Sequence, residues 1–527
     1  MKTTLARSRS GAVLSWALLF CAAFPGAAAE KQGPAFRFDL DPGPHAVGLK
    51  IVDQYDPARV YRSALDDLGK PYAGERARPL QTLVWYPAQH GGGAALSVRD
   101  YVTLWATETS FGEPMMPPVA REWLSVMTPG VLDTHLWAVR DAKAAAGHFP
   151  VVIYAPGASD MSWENADLCE YLASFGYVVI ASPSLGVSSR SMTIDLAGTN
   201  AQASDISFLI GFAKTLQNAD PSAVAVVGDS WGEVAGVFAA ARDNRIDALV
   251  GLDGSTRYYP RMVTLAGDIH PENIPIPFMY VMEGDYSIED VAHFGYPELR
   301  DGPSLFDSWT DGDLIIVHML GLAHASLSSM WQRNEDYWGE CGICQPGDYD
   351  RADAITGYAW VARYTLAFLD GYLKHDPAAT RFLQKMPGEN GLPRHVMTVR
   401  YHAGLHSGRS LEDLRAEVGR HGFGRLADLY AGFQKSTGGA QLDEHAVTEW
   451  AHELMSDGHL SEALALLNFN TQVHPDSTNS YLELGKAYAM SGDEPSARAN
   501  YEKALEKDPN NLIARWKLAN MSHAPAK

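Results

Sequence analysis

A serine hydroxyl attacks a carbonyl carbon only when a base takes its proton and an acid holds that base in the right tautomer. The stretch "VVGDSWGEVAG", residues 226–236, sets Ser230 between Gly228 and Gly232, behind a run of small apolar residues and ahead of Ala235 and Gly236. A turn that lifts a hydroxyl above the edge of a sheet is tight, and the helix after it packs close to the strand before it, so small residues are required on both sides. An idle serine in a glycine-rich turn would show the same spacing, so the reading depends on partners further along in the order serine, acid, histidine. His324, in "HMLGLAHASL", follows the apolar run "LIIVHML" and is the candidate base; His318 lies inside that run and reads as a packed histidine. Two acids compete for the third position, Asp253 at the end of "IDALVGLD" and Asp285 after "PFMYVMEG". The backbone N–H of Trp231, directly after the serine, is a candidate oxyanion donor. Such a set hydrolyses a small-molecule carboxylic ester through an acyl-enzyme and needs neither a metal nor an organic cofactor. The same set also serves transfer of the acyl group to an alcohol or amine, or cleavage of an amide or peptide bond.

These residues need elements to hold them. From about residue 45 the chain alternates short apolar runs with helical patterns. "HAVGLKIV" and "PLQTLVWYP" come first, then "PVVIYAP", "YVVIASP", "AVAVVGD", "IDALVGLD", "PFMYVME" and "LIIVHML", each bounded by Gly, Pro or Asp. The last six have the continuous apolar character of strands buried on both faces. Between or after them lie "ENADLCEYLASFG", "AQASDISFLIGFAKTLQ", "EVAGVFAAARD" and "ITGYAWVARYTLAFLDGYLK", each with helical character. That alternation predicts an α/β fold with a mostly parallel sheet and helices on both faces, whose chemistry gathers at the carboxyl ends of the strands.

Over residues 44–385 the sequence resembles the α/β-hydrolase superfamily, in the branch of dienelactone hydrolases and platelet-activating-factor acetylhydrolases. The resemblance rests on "GPHAVG", "RPLQTLVWYPA", "FPVVIYAPGAS", "GDSWG", "GLDGS", "GLAH" and "TLAFLDGYLK". It implies a Ser230, His324, Asp253 triad, because acetylhydrolase-like members carry the acid on the strand after the nucleophile; most other hydrolases carry it one strand later, near Asp285. It also implies that Ala158 in "APGAS" supplies the second oxyanion N–H, although Pro156 stands where many relatives have His. Dienelactone hydrolases use a cysteine nucleophile, and the serine here favours ordinary carboxylic esters.

The net charge of −21, with no basic patch, excludes a nucleic-acid phosphate backbone as partner. Lys2, Arg7 and Arg9 precede the apolar "GAVLSWALLFCAAF" and the small-residue site "GAAAE", which reads as a signal peptide over 1–29 cleaved after Ala29. The protein is therefore expected to be exported, periplasmic or secreted. The leader is too short to span a bilayer and Phe20 before Cys21 argues against lipid attachment, so no membrane span is expected. Cys341 and Cys344 form a close pair without a second pair of ligands for zinc, and in an oxidising compartment read as a local disulfide, with Cys169 a buried thiol. The insert at residues 100–127, rich in Trp, Phe and Met, serves either as a lid over an apolar substrate or as core.

The C-terminal stretch changes character. At a period of 34, Tyr481, Leu484, Gly485, Tyr488, Ala497, Tyr501, Ala504 and Pro509 occupy tetratricopeptide offsets. One period earlier the match is degenerate, with Ala463 and Pro475 kept but Trp450, Ala451, Leu454, Leu467 and Asn470 elsewhere, and "LIARWKLANM" would cap the stack. The division expected is a hydrolase domain over 30–390, a helical connector over 391–440 and an all-α tetratricopeptide-repeat region over 441–527. Such repeats serve a protein partner or self-association, and a non-catalytic scaffold with an inert hydrolase domain is the alternative to an enzyme.

Overall fold

The computed structural model describes residues 35–521 apart from 67, 112–120, 122–123, 126, 285–295, 335–348, 405–410 and 437–441. The leader, Asp285 and the Cys341 and Cys344 pair lie outside the described residues; Cys169 is a buried free thiol. The chain forms two compact units that divide between Gly404 and Leu405.

The first unit is built on eleven strands: β1 (Ala46–Val60), β2 (Ala77–Ala88), β3 (Ala95–Ser97), β4 (His135–Arg140), β5 (Phe149–Ala155), β6 (Val178–Ala181), β7 (Ala219–Asp229), β8 (Ala248–Leu252), β9 (Phe278–Met282), β10 (Leu314–Met319) and β11 (Met397–His402). They lie in the order β11-β10-β9-β8-β7-β5-β6-β2-β1-β4-β3. From β6 to β10 every neighbour is parallel, and these are the six continuous apolar runs of the sequence. β2 joins β6 antiparallel and β11 joins β10 antiparallel.

The period-2 alternation of strand side chains divides the interior into two cores. Val152 and Tyr154 of β5 pack on one face with α1 (Ala166–Ser174) and later α4 (Arg351–Tyr372). Val151 and Ile153 pack on the other with α2 (Leu196–Ala213) and α3 (Trp231–Ala240). A sheet covered on both sides must be apolar on both sides, which is why these strands read as unbroken runs. Helix α4 starts at a capping box, in which the Asp350 side chain accepts from backbone N–H groups of the first turn and Asp353 reaches back to the Asp350 N–H.

The segment 391–440 holds more than helices, since β11 closes the sheet edge within it. Only Met397 of that strand is fully buried and most of its other residues are exposed, so "MTVRYH" carries no apolar run to mark it. The second unit consists of α5 (Leu411–His421), α6 (Leu426–Ser436), α7 (Glu444–Ser456), α8 (Leu460–Val473), α9 (Thr478–Ser491), α10 (Glu494–Lys507) and α11 (Leu512–Met521). Leu414 and Val418 of α5 and Tyr430 and Phe433 of α6 share one core with Trp450, Leu467 and Leu484. Helices predicted as a connector therefore help bury the helices that follow. A smaller core joins Leu482, Ala497, Tyr501, Ala504 and Ala514.

Candidate active site

Strand β7 ends at Asp229 and α3 begins at Trp231, leaving Ser230 alone in the turn with φ +50° and ψ −115°. That backbone is strained for an L-residue, and its surroundings hold it there. The Ser230 N–H donates to the Leu252 carbonyl at 3.0 Å, and the Ser230 carbonyl accepts from the Ser255 N–H at 3.0 Å. The flanking glycines are required by space: a Cβ at Gly232 would lie 2.1 Å from the Ala155 carbonyl oxygen, and one at Gly228 2.5 Å from the Glu233 nitrogen.

The structure brings Ser230, His324 and Asp253 together. His324 opens a 3-10 turn, His324–Leu327, after β10, and its Nε2 lies 2.9 Å from Ser230 Oγ. Its Nδ1 lies 2.6 Å from Asp253 Oδ2, so Nδ1–H donates to the carboxylate and Nε2 faces the serine. Asp253 follows β8, has φ +41° and is fully buried. Its carboxylate also accepts from the Glu283 N–H at 3.1 Å and sits 3.0 Å, through either oxygen, from the Tyr258 hydroxyl. Burial pulls the His324 imidazolium down, but the hydrogen bond and charge of Asp253, with Glu283 and Asp229 behind them, outweigh it and raise the ring above its ordinary value.

The sequence reasoning passed over Glu283, which directly follows β9. Its Oε2 accepts the His324 backbone N–H at 2.6 Å and its Oε1 lies 2.8 Å from the Tyr258 hydroxyl. A carboxyl at the carboxyl end of a buried parallel strand was the available signal, since that edge is where such sheets place chemistry.

A second group of carboxyls flanks Ser230 on the side of β5. A Cβ at Gly157 would begin 2.8 Å from Asp160 Oδ2, 3.3 Å from Asp229 Oδ2 and 3.5 Å from Ser230 Cβ, which locates all three around one glycine. Glu164 Oε2 accepts from the Gly157 N–H at 3.2 Å and from the Tyr154 hydroxyl at 3.3 Å. Burial, reinforced by the Asp229 and Asp160 charges, pushes Glu164 well above the carboxylate range. Burial and the Asp229 charge push Asp160 up to about 7. Burial pushes Asp229 up to about 6, with His324 and Glu164 opposing.

The loop of Ala158 stands against the serine side chain, and neither the Ala158 N–H nor the Trp231 N–H enters a backbone hydrogen bond among the described residues. Trp231 is the first residue of α3, where a helix leaves N–H groups without intrahelical partners. Its indole donates to Thr199 Oγ1 of α2 at 2.8 Å, which anchors the ring to that helix. Arg190 ties the neighbouring loop down: it donates to the Ser159 carbonyl at 2.9 Å, pairs with the buried Glu108 at 2.7 Å and stacks on Trp105. The described part of the 100–127 insert thus packs inward, with Tyr101, Val102 and Trp105 in the core; its remainder lies outside the described residues. Among the described residues no helix is long and apolar enough to cross a membrane, and no group of three or more His, Cys, Asp or Glu is arranged to hold a metal ion.

The central strand order, with its antiparallel β2 and a strained serine turn after β7, defines an α/β-hydrolase fold followed by an all-α region. No protein-family model matches the chain, and no curated protein matches it. Among solved structures, the chain is similar to a ferulic acid esterase from Streptomyces cinnamoneus, with 19% sequence identity over 69% of this chain and 98% of that one and a TM-score of 0.48.

Proposed function

We propose that this chain is an exported serine hydrolase of carboxylic esters. The observation that carries the reading is the continuous line from Ser230 Oγ to His324 Nε2 at 2.9 Å and from His324 Nδ1 to Asp253 Oδ2 at 2.6 Å. Ser230 attacks the ester carbonyl carbon while Nε2 takes its proton, and the tetrahedral oxyanion lies against the N–H groups of Trp231 and Ala158. Collapse breaks the bond to the alcohol, which leaves with the proton from Nε2, and water then repeats the two steps on the acyl-enzyme. Asp253 stays ionised throughout and holds the ring in the tautomer that presents Nε2 to the serine. Export rests on the leader, with its cationic start, apolar centre and small-residue end. The tetratricopeptide-like spacing of α9 and α10 supports a role for the second unit in binding a protein or a second copy, apart from the chemistry.

An alkyl fluorophosphonate tests the reading directly, because it forms a covalent adduct only with an activated nucleophile. Peptide mass analysis should find the adduct on Ser230, and Ser230→Ala should remove it and lower turnover of a panel of acyl esters by several orders of magnitude. An adduct elsewhere, or esterase activity retained in the purified variant, overturns the proposal.

A further inference from the structure

The carboxyl of Glu283 sits where the protons around Asp253 do not balance. The Tyr258 hydroxyl lies 3.0 Å from both Asp253 oxygens and 2.8 Å from Glu283 Oε1. A phenol carries one proton, so it donates to one of these carboxyls at a time. Were both ionised, two oxygens would face each other at 2.8 Å without a hydrogen, inside a site where Asp253 is 0% and Glu283 2% exposed. A buried contact of that kind is repulsive, and one proton on Glu283 removes the conflict.

We propose that Glu283 is a positioning residue that carries this proton: its Oε1–H donates to the Tyr258 oxygen, the Tyr258 hydroxyl donates to Asp253, and its Oε2 accepts the His324 backbone N–H. A single uncharged carboxyl on β9 then orients both the acid on β8 and the base after β10. The inference rests on the ester-hydrolase reading for its kinetic consequences, while the proton itself can be observed without a substrate.

The surroundings agree. Burial, followed by the Asp253 charge, raises Glu283 up to about 8; His324, the His324 N–H and, in the charged form of Glu283, a hydrogen bond from Tyr258 oppose it. Among the described residues, the other titratable groups facing it are Arg257, whose guanidinium lies 3.4 Å from the Tyr258 hydroxyl and 4.0 Å from Asp253, and Tyr280, whose hydroxyl donates to the Gly254 carbonyl. Arg257 lies nearer to Asp253 and the Tyr258 hydroxyl, and Glu283 is the last of the groups whose charge acts on it.

The test compares Glu283→Gln with Glu283→Ala. Glutamine keeps both bonds of the neutral acid, since its amide N–H donates to Tyr258 and its carbonyl accepts the His324 N–H; alanine keeps neither. Turnover of Glu283→Gln should stay within about 5-fold of the parent, whereas Glu283→Ala should lose on the order of 10- to 100-fold in kcat at nearly constant KM. The rising limb of kcat/KM against pH should stay in place in Glu283→Gln, because below about pH 8 an uncharged amide replaces an uncharged acid beside His324. The infrared difference spectrum of parent minus Glu283→Gln at pH 6.5 should contain a protonated-carboxyl band that gives way to a carboxylate band as the pH passes about 8. A missing band, a Glu283→Gln variant as impaired as Glu283→Ala, or a limb that moves to lower pH, as loss of an ionised neighbour would cause, overturns the proposal. Failure of the hydrolase reading has a different signature, no phosphonate adduct at Ser230, and leaves the infrared measurement intact. Should Glu283→Ala melt early, Tyr258→Phe, which cuts the same relay at its middle, takes its place in the kinetic comparison.

Discussion

In the sheet unit the buried carboxyls of Glu108, Asp160, Glu164, Glu170, Asp229, Glu233 and Glu283 are all pushed up, and burial is the leading cause at every one. In the helical unit Glu483 behaves in the opposite way: burial works against its charge, but hydrogen bonds from Lys486 and His452 hold it below the usual carboxylate range. The backbone divides similarly. Among the described residues, every non-glycine residue with positive φ lies in the sheet unit, three of them (Ser159, Ser230 and Asp253) around the candidate site, while the helical unit places positive φ only at Gly422, Gly458 and Gly492. Strain and crowded charge persist only where the surrounding structure over-determines them. Ser159, Ser230 and Asp253 bring three such positions together with Asp160, Asp229 and Glu283 at the edge where the proposed chemistry is placed, whereas the described residues of the helical unit include no strained non-glycine residue.

The largest expected effect falls on the strained side. Asp253→Asn leaves the shape of the site but removes the anion that sets the His324 tautomer, and turnover should fall by on the order of 10⁴-fold. The helical unit should be unaffected, as read by hydrogen exchange of α7 to α11. A loss of less than tenfold would show that another carboxyl orients the ring.

A middle-sized effect belongs to the helical unit. A Cβ at Gly485 would begin 2.6 Å from the ring of Tyr501, which is fully buried. Replacing a helical glycine by alanine gains about 1 kcal/mol in backbone terms. Overpacking a tight helix contact costs about 1–3 kcal/mol. Gly485→Ala should thus destabilise α9 and α10 by up to about 2 kcal/mol and leave esterase turnover unchanged. Exchange rates and a thermal melt read the first outcome, and a stabilised variant would show that Tyr501 can step aside.

The smallest effect sharpens the contrast through pH. A carboxyl raised by folding, such as Glu170 or Glu233 at about 8, binds a proton in the native state that the unfolded chain has released. Its contribution is complete below its ordinary value of 4.5 and is lost as the pH climbs through about 8. His324, also raised, contributes in the same direction from 6.5 upward. Glu483, lowered by folding, contributes above 4.5 and loses that contribution as the pH falls. Hydrogen exchange corrected for intrinsic rates should show the sheet unit loosening from pH 5.5 to 8.5 while the helical unit holds steady over that range. Equal loosening of both units would remove the electrostatic distinction.

Much of the site was legible because its signals are local. Ser230 stands out through glycines that the Ala155 carbonyl and the Glu233 nitrogen require, and His324 through its place just past an apolar strand. The six parallel strands are visible because burial on both faces forbids polar interruptions. Strand β11 is not, because an edge strand with one buried residue has no such constraint. Neither are Glu283 and Tyr258: a carboxyl after an apolar run and a tyrosine in a turn are ordinary in sequence, and their meaning arises only when β8 and β9 lie side by side.

The amino-acid order by itself determined the six parallel strands and the helices among them, the two-faced sheet, the serine turn and the change to helical character near the C-terminus, since each follows from the period and size of neighbouring residues. Tertiary structure decided what depends on meeting across the chain. It set which carboxyl reaches the imidazole, how 71 residues of separation between Asp253 and His324 close to 2.6 Å, and that helices α5 and α6 share the core of the helices after them. The physical reason is range: propensity and periodicity act over a few residues, whereas a hydrogen bond between strand ends depends on sheet order, which no local stretch contains.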